Sequence, residues 1–300
     1  MNERCLAVVN PAAGGGRCGK LAPAAIAGLV QRGLTFDVVS TAATGHAVSL
    51  ARAAYAQGYR CFLAVGGDGT AHEIVNGLFP QALEGGRVSL GFLPLGTGNS
   101  FLRDFSDSGP QAAVEALLAG RTRPADLIRL THAAGQVYSL NLLSIGFTAN
   151  VAALVNRRFK SLGELGYLLG VLASLVRFRR RAFPLRLDAE PDWDRTRCLF
   201  LSFNNTKFTG GKMMIAPQAD PSDGLIEVVR WGPIGRIGLL RNLPRLYDGT
   251  HIQHPLASRR SARYVEFGLD SPVDIMIDGE VATLECRALD ILPAALDVCL

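Results

Sequence analysis

The chain has 300 residues, with 31 lysines and arginines against 26 acidic residues, which gives a formal net charge of +5. Hydrophobic residues make up 48% of it and charged residues 19%, a composition that excludes a disordered chain and supplies a core. This length predicts two domains. None of the six cysteines forms a C-x-x-C pair, and the first residues lack the long apolar core of a signal peptide, so we expect a cytoplasmic protein in a reducing compartment.

The first part of the chain alternates short apolar strands with helical segments. The predicted strands are Cys5–Val9, Thr35–Val39, Arg60–Val65 and Val88–Leu93, and the predicted helices are Leu21–Arg32, Ala47–Ala56 and Ala71–Leu78. Strand, turn and helix repeated in this way indicate an α/β domain with a parallel sheet and helices on both faces. In such sheets, ligands bind at the carboxyl ends of the strands.

After a predicted helix at Pro110–Ala119, strand-like segments dominate. They are Asp126–Leu130, Val137–Ile145, Arg197–Phe203, Leu225–Trp231, Val265–Leu269 and Val273–Asp278. This pattern predicts a mostly antiparallel, β-sandwich-like C-terminal domain. We therefore expect an α/β domain over residues 1–125 and a β-rich domain over residues 126–300.

The positive charge is concentrated in residues 151–182, which carry a net charge of +6. Between two basic clusters in this segment lies the apolar stretch Leu162–Val176, which is shorter than the roughly 20 residues that a membrane-spanning helix needs. Two interpretations stay open: a buried helix of the second domain, or a segment that docks on an anionic membrane surface. Charge confined to one segment disfavours nucleic acid as a partner, because nucleic-acid-binding proteins carry basic residues over a broader face.

The most specific motif follows the third predicted strand and reads Gly-Gly-Asp-Gly-Thr at residues 66–70. Adjacent glycines allow backbone N–H groups to approach a phosphate, and the helix that follows adds the positive end of its dipole. Asp68 is placed either to hold Mg²⁺ against phosphates or to accept a proton from an attacking hydroxyl. Taken alone, the motif is equally well explained as a tight turn that Asp68 and Thr70 cap.

Two further glycine turns, at residues 10–17 and 94–100, follow the first and fourth predicted strands. Three glycine turns at one edge of a sheet favour a phosphate site over simple connections, and Thr41 belongs to the same edge. The turns do not match a P-loop, and they do not fit the dinucleotide-binding fingerprint.

Together these motifs resemble those of the diacylglycerol kinase-like lipid kinase family, which includes bacterial diacylglycerol and phosphatidylglycerol kinases and the sphingosine and ceramide kinases. The resemblance rests on residues 10–16, 66–78, 94–99, 219–225 and 278–280, and so spans most of the chain. It implies ATP and Mg²⁺ as cofactors and a membrane lipid as the substrate. The domain over residues 1–125 would then bind the nucleotide, and the β-rich domain over residues 126–300 would carry the lipid-substrate and metal sites. The nucleotide-binding residues that the turns and the resemblance imply are Asn10, Gly14, Gly15, Gly16, Thr41, Gly66, Gly67, Asp68, Gly69, Thr70, Glu73, Gly96, Thr97 and Asn99.

Two carboxylates in the second domain, Asp220 and Asp223, stand three residues apart ahead of a predicted strand. Taken alone, the sequence Pro-Ser-Asp-Gly at residues 221–224 is typical of a β-turn. The resemblance implies a structural Mg²⁺ instead, held by Asp220, Asp223 and the carbonyl oxygen of Leu225, which are the oxygen ligands that a hard cation takes.

The general base has three candidates. Asp278-Gly279-Glu280 is locally typical of a hairpin turn, and the resemblance implies that Glu280 or Asp278 takes the proton from the substrate. The sphingosine kinases within the same family imply Asp68 in that role.

The resemblance predicts an ATP-dependent kinase that phosphorylates a hydroxyl of a membrane lipid such as diacylglycerol or phosphatidylglycerol, cytoplasmic and peripheral at the inner membrane face. An NAD kinase is an alternative, since NAD kinases also carry Gly-Gly-Asp-Gly-Thr. Glu73, the turn at residues 94–99 and the basic-flanked apolar segment disfavour it. A non-catalytic nucleotide- or lipid-binding protein of the same fold is a third interpretation, which the carboxylates Asp68, Asp220, Asp223, Asp278 and Glu280 disfavour.

Overall fold

The computed structural model describes residues 4–105, 109–147, 149, 151 and 180–300. It divides into two compact units, of which unit 1 comprises Met1–Asp126 and Pro293–Leu300 and unit 2 comprises Leu127–Leu292. The sequence analysis assigned Pro293–Leu300 to the second domain. By their contacts these residues group with unit 1, because the last strand of the chain ends beside the parallel sheet, and the domain boundary stays a prediction.

Unit 1 is built from parallel strands connected by helices. Its strands and helices are β1 (Cys5–Val9), α1 (Arg17–Gln31), β2 (Phe36–Ser40), α2 (His46–Ala56), β3 (Cys61–Gly66), α3 (Asp68–Leu78), β4 (Ser89–Pro94) and α4 (Gly109–Ala119), with short 3-10 helices at Gln81–Leu83 and Phe101–Asp104. The strand order is β2-β1-β3-β4, and each neighbouring pair is parallel. The predicted α/β fold is therefore confirmed for this part of the chain.

The helices of unit 1 pack through small and aliphatic side chains at helical spacing. In α1, Cys18, Ala22, Ile26 and Leu29 are buried, a spacing that places them on one face of the helix and against the sheet. A Cβ on Gly77 of α3 would lie 2.4 Å from the carbonyl oxygen of Val48, so α2 and α3 approach each other closely. Because β1, β3 and β4 are parallel, their carboxyl ends lie at one edge of the sheet.

Unit 2 is rich in antiparallel strands. Its strands and helices, including two strands that also extend into unit 1, are β5 (Thr122–His132), β6 (Gly135–Ser139), β7 (Leu142–Gly146), β8 (Arg181–Ala182), β9 (Leu185–Leu187), β10 (Arg197–Cys198), β11 (Phe200–Asn204), β12 (Phe208–Thr209), β13 (Met213–Met214), β14 (Ile226–Trp231), α5 (Arg236–Asn242), α6 (Arg245–Asp248), β15 (Ala257–Ala262), β16 (Tyr264–Phe267), β17 (Val273–Ile277), β18 (Glu280–Leu284) and β19 (Cys286–Cys299), with a 3-10 helix at Thr250–Gln253. One sheet has the order β15-β14-β11-β7-β17-β18, with every neighbouring pair antiparallel.

A second set of unit 2 strands packs against this sheet. Strand β16 pairs antiparallel with both β9 and β19, and β5 pairs with β19 and β6. One apolar cluster joins Ile145 and Phe203 of the first sheet to Val265 and Leu289 of the second set. Residues from two packed sheets thus share one core, which confirms the predicted β-sandwich-like architecture.

The apolar stretch Leu162–Val176 and most of its flanking basic residues lie outside the described residues, and both interpretations of it stay open. Within the residues that the structure describes, no helix is long and apolar enough to cross a membrane.

Cys5 and Cys61 form a disulfide between the neighbouring strands β1 and β3, with their Cα atoms 4.4 Å apart. The expectation of reduced cysteines is corrected for this pair. The two residues stand 56 positions apart, and only the register of β1 against β3 brings them together. The remaining cysteines are buried free thiols at Cys18, Cys198, Cys286 and Cys299.

Candidate active site

Two of the glycine turns in unit 1 touch through their backbones. A Cβ on Gly96 would lie 2.5 Å from the Cα of Gly67 and 3.1 Å from the carbonyl oxygen of Gly66. The N–H of Gly96 donates a 2.7 Å hydrogen bond to that same carbonyl. Because no side chain larger than hydrogen fits at Gly96, the turns after β3 and β4 form one continuous backbone surface.

Asp68 fastens these two turns together. It is the first residue of α3, and its carboxylate accepts hydrogen bonds from the N–H groups of Ser100, at 2.9 Å, and Phe101, at 3.3 Å. A carboxylate at the start of a helix is also stabilised by the positive end of the helix dipole. In this structure Asp68 therefore shapes the turn after β4.

The turn after β1 also contacts the turns after β3 and β4. The side-chain amide of Asn10 donates to the hydroxyl of Thr70 at 3.2 Å, and Nη2 of Arg17 donates to the carbonyl of Gly96 at 3.0 Å. Gly15 and Gly16 have φ angles of +66° and +88°, which favour glycine. A Cβ at either position would meet nothing within 4 Å, so the surface over this turn is open to a ligand.

Thr41, Thr97 and Asn99 lie on loops that follow the strands of this sheet. The N–H of Thr41 donates to the carbonyl of Val9 at 2.8 Å, which places Thr41 beside the turn after β1. Thr97 is exposed. Asn99 has a φ of +49°, and its amide donates to the carbonyl of Pro94 at 3.4 Å. The nucleotide-binding candidates on the loops that follow β1, β2, β3 and β4 thus lie at one edge of the sheet in unit 1.

Glu73, which the resemblance implied to be a nucleotide-binding residue, contacts the start of α2 in this structure. Its two carboxylate oxygens accept hydrogen bonds from the N–H groups of Gly45, at 2.8 Å, and Ala47, at 3.0 Å. These N–H groups belong to the first turn of α2, where a carboxylate is stabilising. Glu73 thus positions the start of α2, and its contact with a nucleotide stays a prediction.

In unit 2, Asp278 is a buried anchor. It is only 7% exposed, and its carboxylate accepts hydrogen bonds from the hydroxyl of Ser139 at 2.6 Å and from the N–H groups of Leu140, Asn141 and Leu142 at 3.1, 2.9 and 3.2 Å. These bonds hold the turn between β6 and β7. Both carboxylate oxygens of Asp278 are therefore engaged by groups of the β6–β7 turn.

Glu280 contrasts with Asp278 two residues earlier. It is exposed and begins β18, opposite Ile277 at the end of β17. The two residues between them, Asp278 and Gly279, have φ angles of +49° and +95°, as a tight two-residue hairpin requires. Of the two carboxylates in this hairpin, Glu280 is the one that a substrate reaches from solvent.

A cluster of buried polar side chains lies next to this hairpin, and only part of it was noticeable in the sequence. The amide of Asn205 donates to the carbonyl of Leu140 at 2.7 Å, and the hydroxyl of Thr206 contacts the amide oxygen of Asn141. All four residues are buried. The polar run at residues 204–206 directly after an apolar strand was the signal, but its partners lie about sixty residues earlier.

The turn at residues 220–225 keeps its two carboxylates together. The N–H of Asp223 donates to the carbonyl of Asp220 at 3.4 Å. Asp220 accepts from the N–H and hydroxyl of Ser222 at 3.0 and 2.7 Å, and Asp223 accepts from the N–H of Leu225 at 2.9 Å. In the described part of the chain, no group of three or more His, Cys, Asp or Glu side chains is arranged to hold a metal ion. The donor chemistry of this turn, carboxylate and carbonyl oxygen, nevertheless fits a hard cation.

Two known protein families match this chain, one in each part of it. The diacylglycerol kinase catalytic domain family matches residues 4–130, and the YegS C-terminal NAD kinase beta sandwich-like domain family matches residues 141–300. A "Diacylglycerol kinase" of Mycobacterium tuberculosis is 32% identical over 296 residues, covering 97% of this chain and 93% of that protein. A "Probable lipid kinase YegS-like" protein of Pseudomonas aeruginosa is 33% identical over 280 residues, covering 92% and 88%.

A solved structure shows the same fold. The crystal structure of a putative diacylglycerol kinase from Bacillus anthracis str. Sterne superposes with a TM-score of 0.78 at 19% sequence identity, covering 99% of this chain and 95% of that one. Both domains, their order and nearly the full length therefore agree with one family. The chain belongs to the diacylglycerol kinase-like lipid kinase family, whose members are phosphotransferases with an alcohol group as acceptor.

Proposed function

We propose that the protein is an ATP-dependent lipid kinase that transfers the γ-phosphate to a hydroxyl of a membrane lipid such as diacylglycerol or phosphatidylglycerol. One observation carries the nucleotide part of the proposal. The turns after β1, β3 and β4 meet at one sheet edge through backbone contacts at Gly66, Gly67 and Gly96. A surface of glycine backbone beside helix starts is suited to phosphate.

The residues of unit 1 would hold ATP by its phosphates. The N-termini of α1 and α3 and the open turn at Gly15 and Gly16 present positive dipole ends and an uncovered backbone. Asp68 keeps the turn after β4 against that surface through its bonds to Ser100 and Phe101. Preorganised positioning of this kind is the main protein contribution to phosphoryl transfer.

Glu280 is the general base in this proposal. It accepts the proton of the lipid hydroxyl as that oxygen attacks the γ-phosphorus, and the bond to the β–γ bridging oxygen breaks to release ADP. Asp278 acts through position, because its carboxylate is committed to the turn between β6 and β7. Glu280 is exposed and therefore open to an acceptor.

Asp220, Asp223 and the carbonyl of Leu225 would hold Mg²⁺ in unit 2. A divalent cation bound there supplies positive charge that stabilises a turn carrying two carboxylates. Its contribution in this proposal is structural, as the resemblance implied.

The family also supports a place of action. A lipid acceptor resides in a bilayer, so we propose that the protein works peripherally at the inner face of the cytoplasmic membrane. The basic residues concentrated between residues 151 and 182 support this placement, since anionic lipids attract such charge.

A lipid-panel assay tests the proposal. Purified protein is incubated with Mg²⁺, ATP and mixed micelles of diacylglycerol, phosphatidylglycerol or a sphingoid base, with NAD as a soluble acceptor in parallel, and phosphorylated products are identified by mass spectrometry. We expect a phosphorylated lipid and no phosphorylated NAD. Phosphorylation of NAD alone, or of no acceptor in the panel, would overturn the proposal.

A further inference from the structure

Helices α5 and α6 of unit 2 expose large apolar side chains. Ile237 is 69% exposed, Leu240 42% and Tyr247 45%. We call this region the α5–α6 surface and define it by Arg236, Ile237, Leu240, Arg241, Arg245 and Tyr247. Ile237 and Leu240 stand three residues apart in α5 and so share one side of the helix, and exposed apolar groups of this kind favour a site for a partner.

The fold does not require these side chains to be apolar. Leu239 and Leu246, on the inner side of the same two helices, are 1% and 6% exposed and pack in a cluster with Trp231. The helices are thus anchored through one face while the opposite face carries Ile237 and Leu240. Polar residues at these two positions would leave the buried cluster unchanged.

The charge around the apolar side chains is predominantly positive. Arg236, Arg241 and Arg245 are exposed, and no acidic residue occurs between residues 235 and 247. The carboxylate of Asp248, which follows, accepts hydrogen bonds from the N–H and hydroxyl of Thr250 at 2.9 and 2.6 Å. Asp248 also interacts electrostatically with Arg245, so the α5–α6 surface presents three arginines beside one carboxylate and carries a net positive charge.

A surface depression adds a further arginine beside the start of α5. It has a volume of about 630 Å³ and is lined by Arg180, Gly235, Arg236, Ile237 and Gly238. Nη2 of Arg180 lies 3.5 Å from the position that a Cβ of Gly235 would take. Two guanidinium groups next to an exposed isoleucine match a phosphate headgroup above acyl chains.

We propose that the α5–α6 surface docks the protein on an anionic lipid bilayer, with Ile237 and Leu240 entering the boundary between headgroups and acyl chains. Segments that lie at a membrane–water interface typically combine exposed apolar side chains with flanking arginines or lysines. A second copy of the chain is a poorer occupant, since a symmetric contact would set arginines against arginines. The inference rests on the proposed lipid substrate and names the surface that reaches it.

Co-sedimentation with vesicles tests the docking without any need for turnover. The vesicles contain phosphatidylcholine alone or phosphatidylcholine with phosphatidylglycerol, at low and high salt. We expect binding to the anionic vesicles only, weakened by salt because exposed charges are screened. Two double variants probe the surface: Ile237→Ser with Leu240→Ser, and Arg241→Glu with Arg245→Glu.

Each double variant should bind anionic vesicles about tenfold or more weakly, given the contribution of each apolar side chain and each arginine at such a surface. Matched controls lie in unit 1: Leu83→Ser, at a leucine that is 43% exposed, and Arg32→Glu, at an exposed arginine. We expect the controls to bind as the wild type does. Wild-type binding by both double variants would overturn the proposal, as would a dimer that these variants dissociate.

A kinase readout separates the docking from the proposed function. The double variants should phosphorylate a short-chain, water-soluble diacylglycerol at the wild-type rate and a vesicle-embedded one more slowly. Vesicle binding that depends on the α5–α6 surface, in a protein without kinase activity, would support the docking and overturn the proposed function. Kinase activity, together with vesicle binding that the double variants do not weaken, would support the proposed function and overturn the docking.

Discussion

The N–H of Ser100 donates a 2.9 Å hydrogen bond to Oδ2 of Asp68, a residue 32 positions earlier in the chain. This bond joins the turn after β3 to the turn after β4, and the contact between Gly67 and Gly96 lies beside it. The candidate nucleotide site is thus a set of turns that hold each other in place.

Replacing Gly96 with alanine should damage the fold and the site together. The added Cβ would lie 2.5 Å from the Cα of Gly67, and relieving such overpacking costs about 1–3 kcal/mol of the free energy of unfolding. We expect Gly96→Ala to lower the melting temperature and to weaken ATP-dependent turnover. Thermal unfolding and a kinase assay measure the two effects.

Gly28 provides the control for this substitution. It lies in α1, and a Cβ there would meet nothing within 4 Å. Gly28→Ala should raise the free energy of unfolding by about 0.5–1 kcal/mol, since glycine destabilises a helix interior. A Gly96→Ala protein as stable and active as the wild type would show that the two turns do not need their backbone contact.

Substitution of Asp278 should lower stability, whereas substitution of Glu280 should lower catalysis. Asp278→Asn keeps a residue type that tolerates a positive φ but removes an acceptor of buried N–H groups, which costs roughly 1–3 kcal/mol of the free energy of unfolding. Glu280→Gln changes an exposed side chain, so stability should stay within about 0.5 kcal/mol. Loss of a general base should lower kcat by about 10²–10⁴-fold.

Denaturant unfolding and steady-state kinetics on both variants check this division. Full activity in Glu280→Gln would remove Glu280 as the base and leave Asp68 as the candidate. Unchanged stability in Asp278→Asn would contradict the anchoring role of the Asp278 carboxylate.

His251 should make unit 2 sensitive to acid. Burial lowers the pKa of His251 below its ordinary value of 6.5, while the nearby carbonyls of Arg245 and Ile215 oppose that shift. A group whose pKa is lowered on folding contributes stability above its unfolded pKa and loses it as the pH falls. We expect the free energy of unfolding to decline as the pH drops below about 6.5.

A comparison with His251→Gln isolates this contribution. The variant lacks the titrating imidazole, so its stability between pH 7 and pH 5 should fall less steeply than that of the wild type. Denaturant midpoints at both pH values provide the measurement. Equal slopes would show that protonation of His251 is not linked to unfolding.

The disulfide between Cys5 and Cys61 should make stability depend on reductant. It closes a loop with a sequence separation of 56, for which the chain-entropy model gives about 4 kcal/mol of stabilisation. We expect dithiothreitol to lower the melting temperature of protein purified under oxidising conditions. The Cys5→Ser variant should melt at one temperature with or without dithiothreitol, and titration of six free thiols in the untreated wild type would contradict the bond.

Local patterns in the sequence were sufficient for much of the fold. The strands Arg60–Val65 and Val88–Leu93 were predicted within one residue of β3 and β4. A short apolar run bounded by turn residues is a local signal for a buried strand. The helix predicted from Leu21 begins earlier, at Arg17, directly after the left-handed Gly16.

Long-range contacts explain where the sequence was insufficient. One strand was predicted over Val137–Ile145, whereas the structure has β6 and β7 with a break at Leu140 and Asn141. The carboxylate of Asp278 accepts hydrogen bonds from the N–H groups at this break. A residue more than 130 positions away thus decides the local structure, and no local pattern reveals that.

The candidate site divides in the same manner. The glycine turns could be predicted because parallel strands place their carboxyl ends at one edge. The roles of single carboxylates could not, since Glu73 and Asp68 bind backbone N–H groups of other segments. Residue type indicated a charged site, and only the fold shows which charges are already engaged.

The central claim is that this chain moves the γ-phosphate of ATP to a lipid hydroxyl. The most direct measurement incubates the wild type and Asp68→Asn with Mg²⁺, diacylglycerol micelles and ATP labelled either at the γ- or at the α-phosphate, and counts label in the extracted lipid. We expect label in the lipid from γ-labelled ATP only, and at least a hundredfold less with Asp68→Asn. Lipid without label from the wild type would contradict this transfer, and equal transfer by both proteins would contradict the positioning role of Asp68.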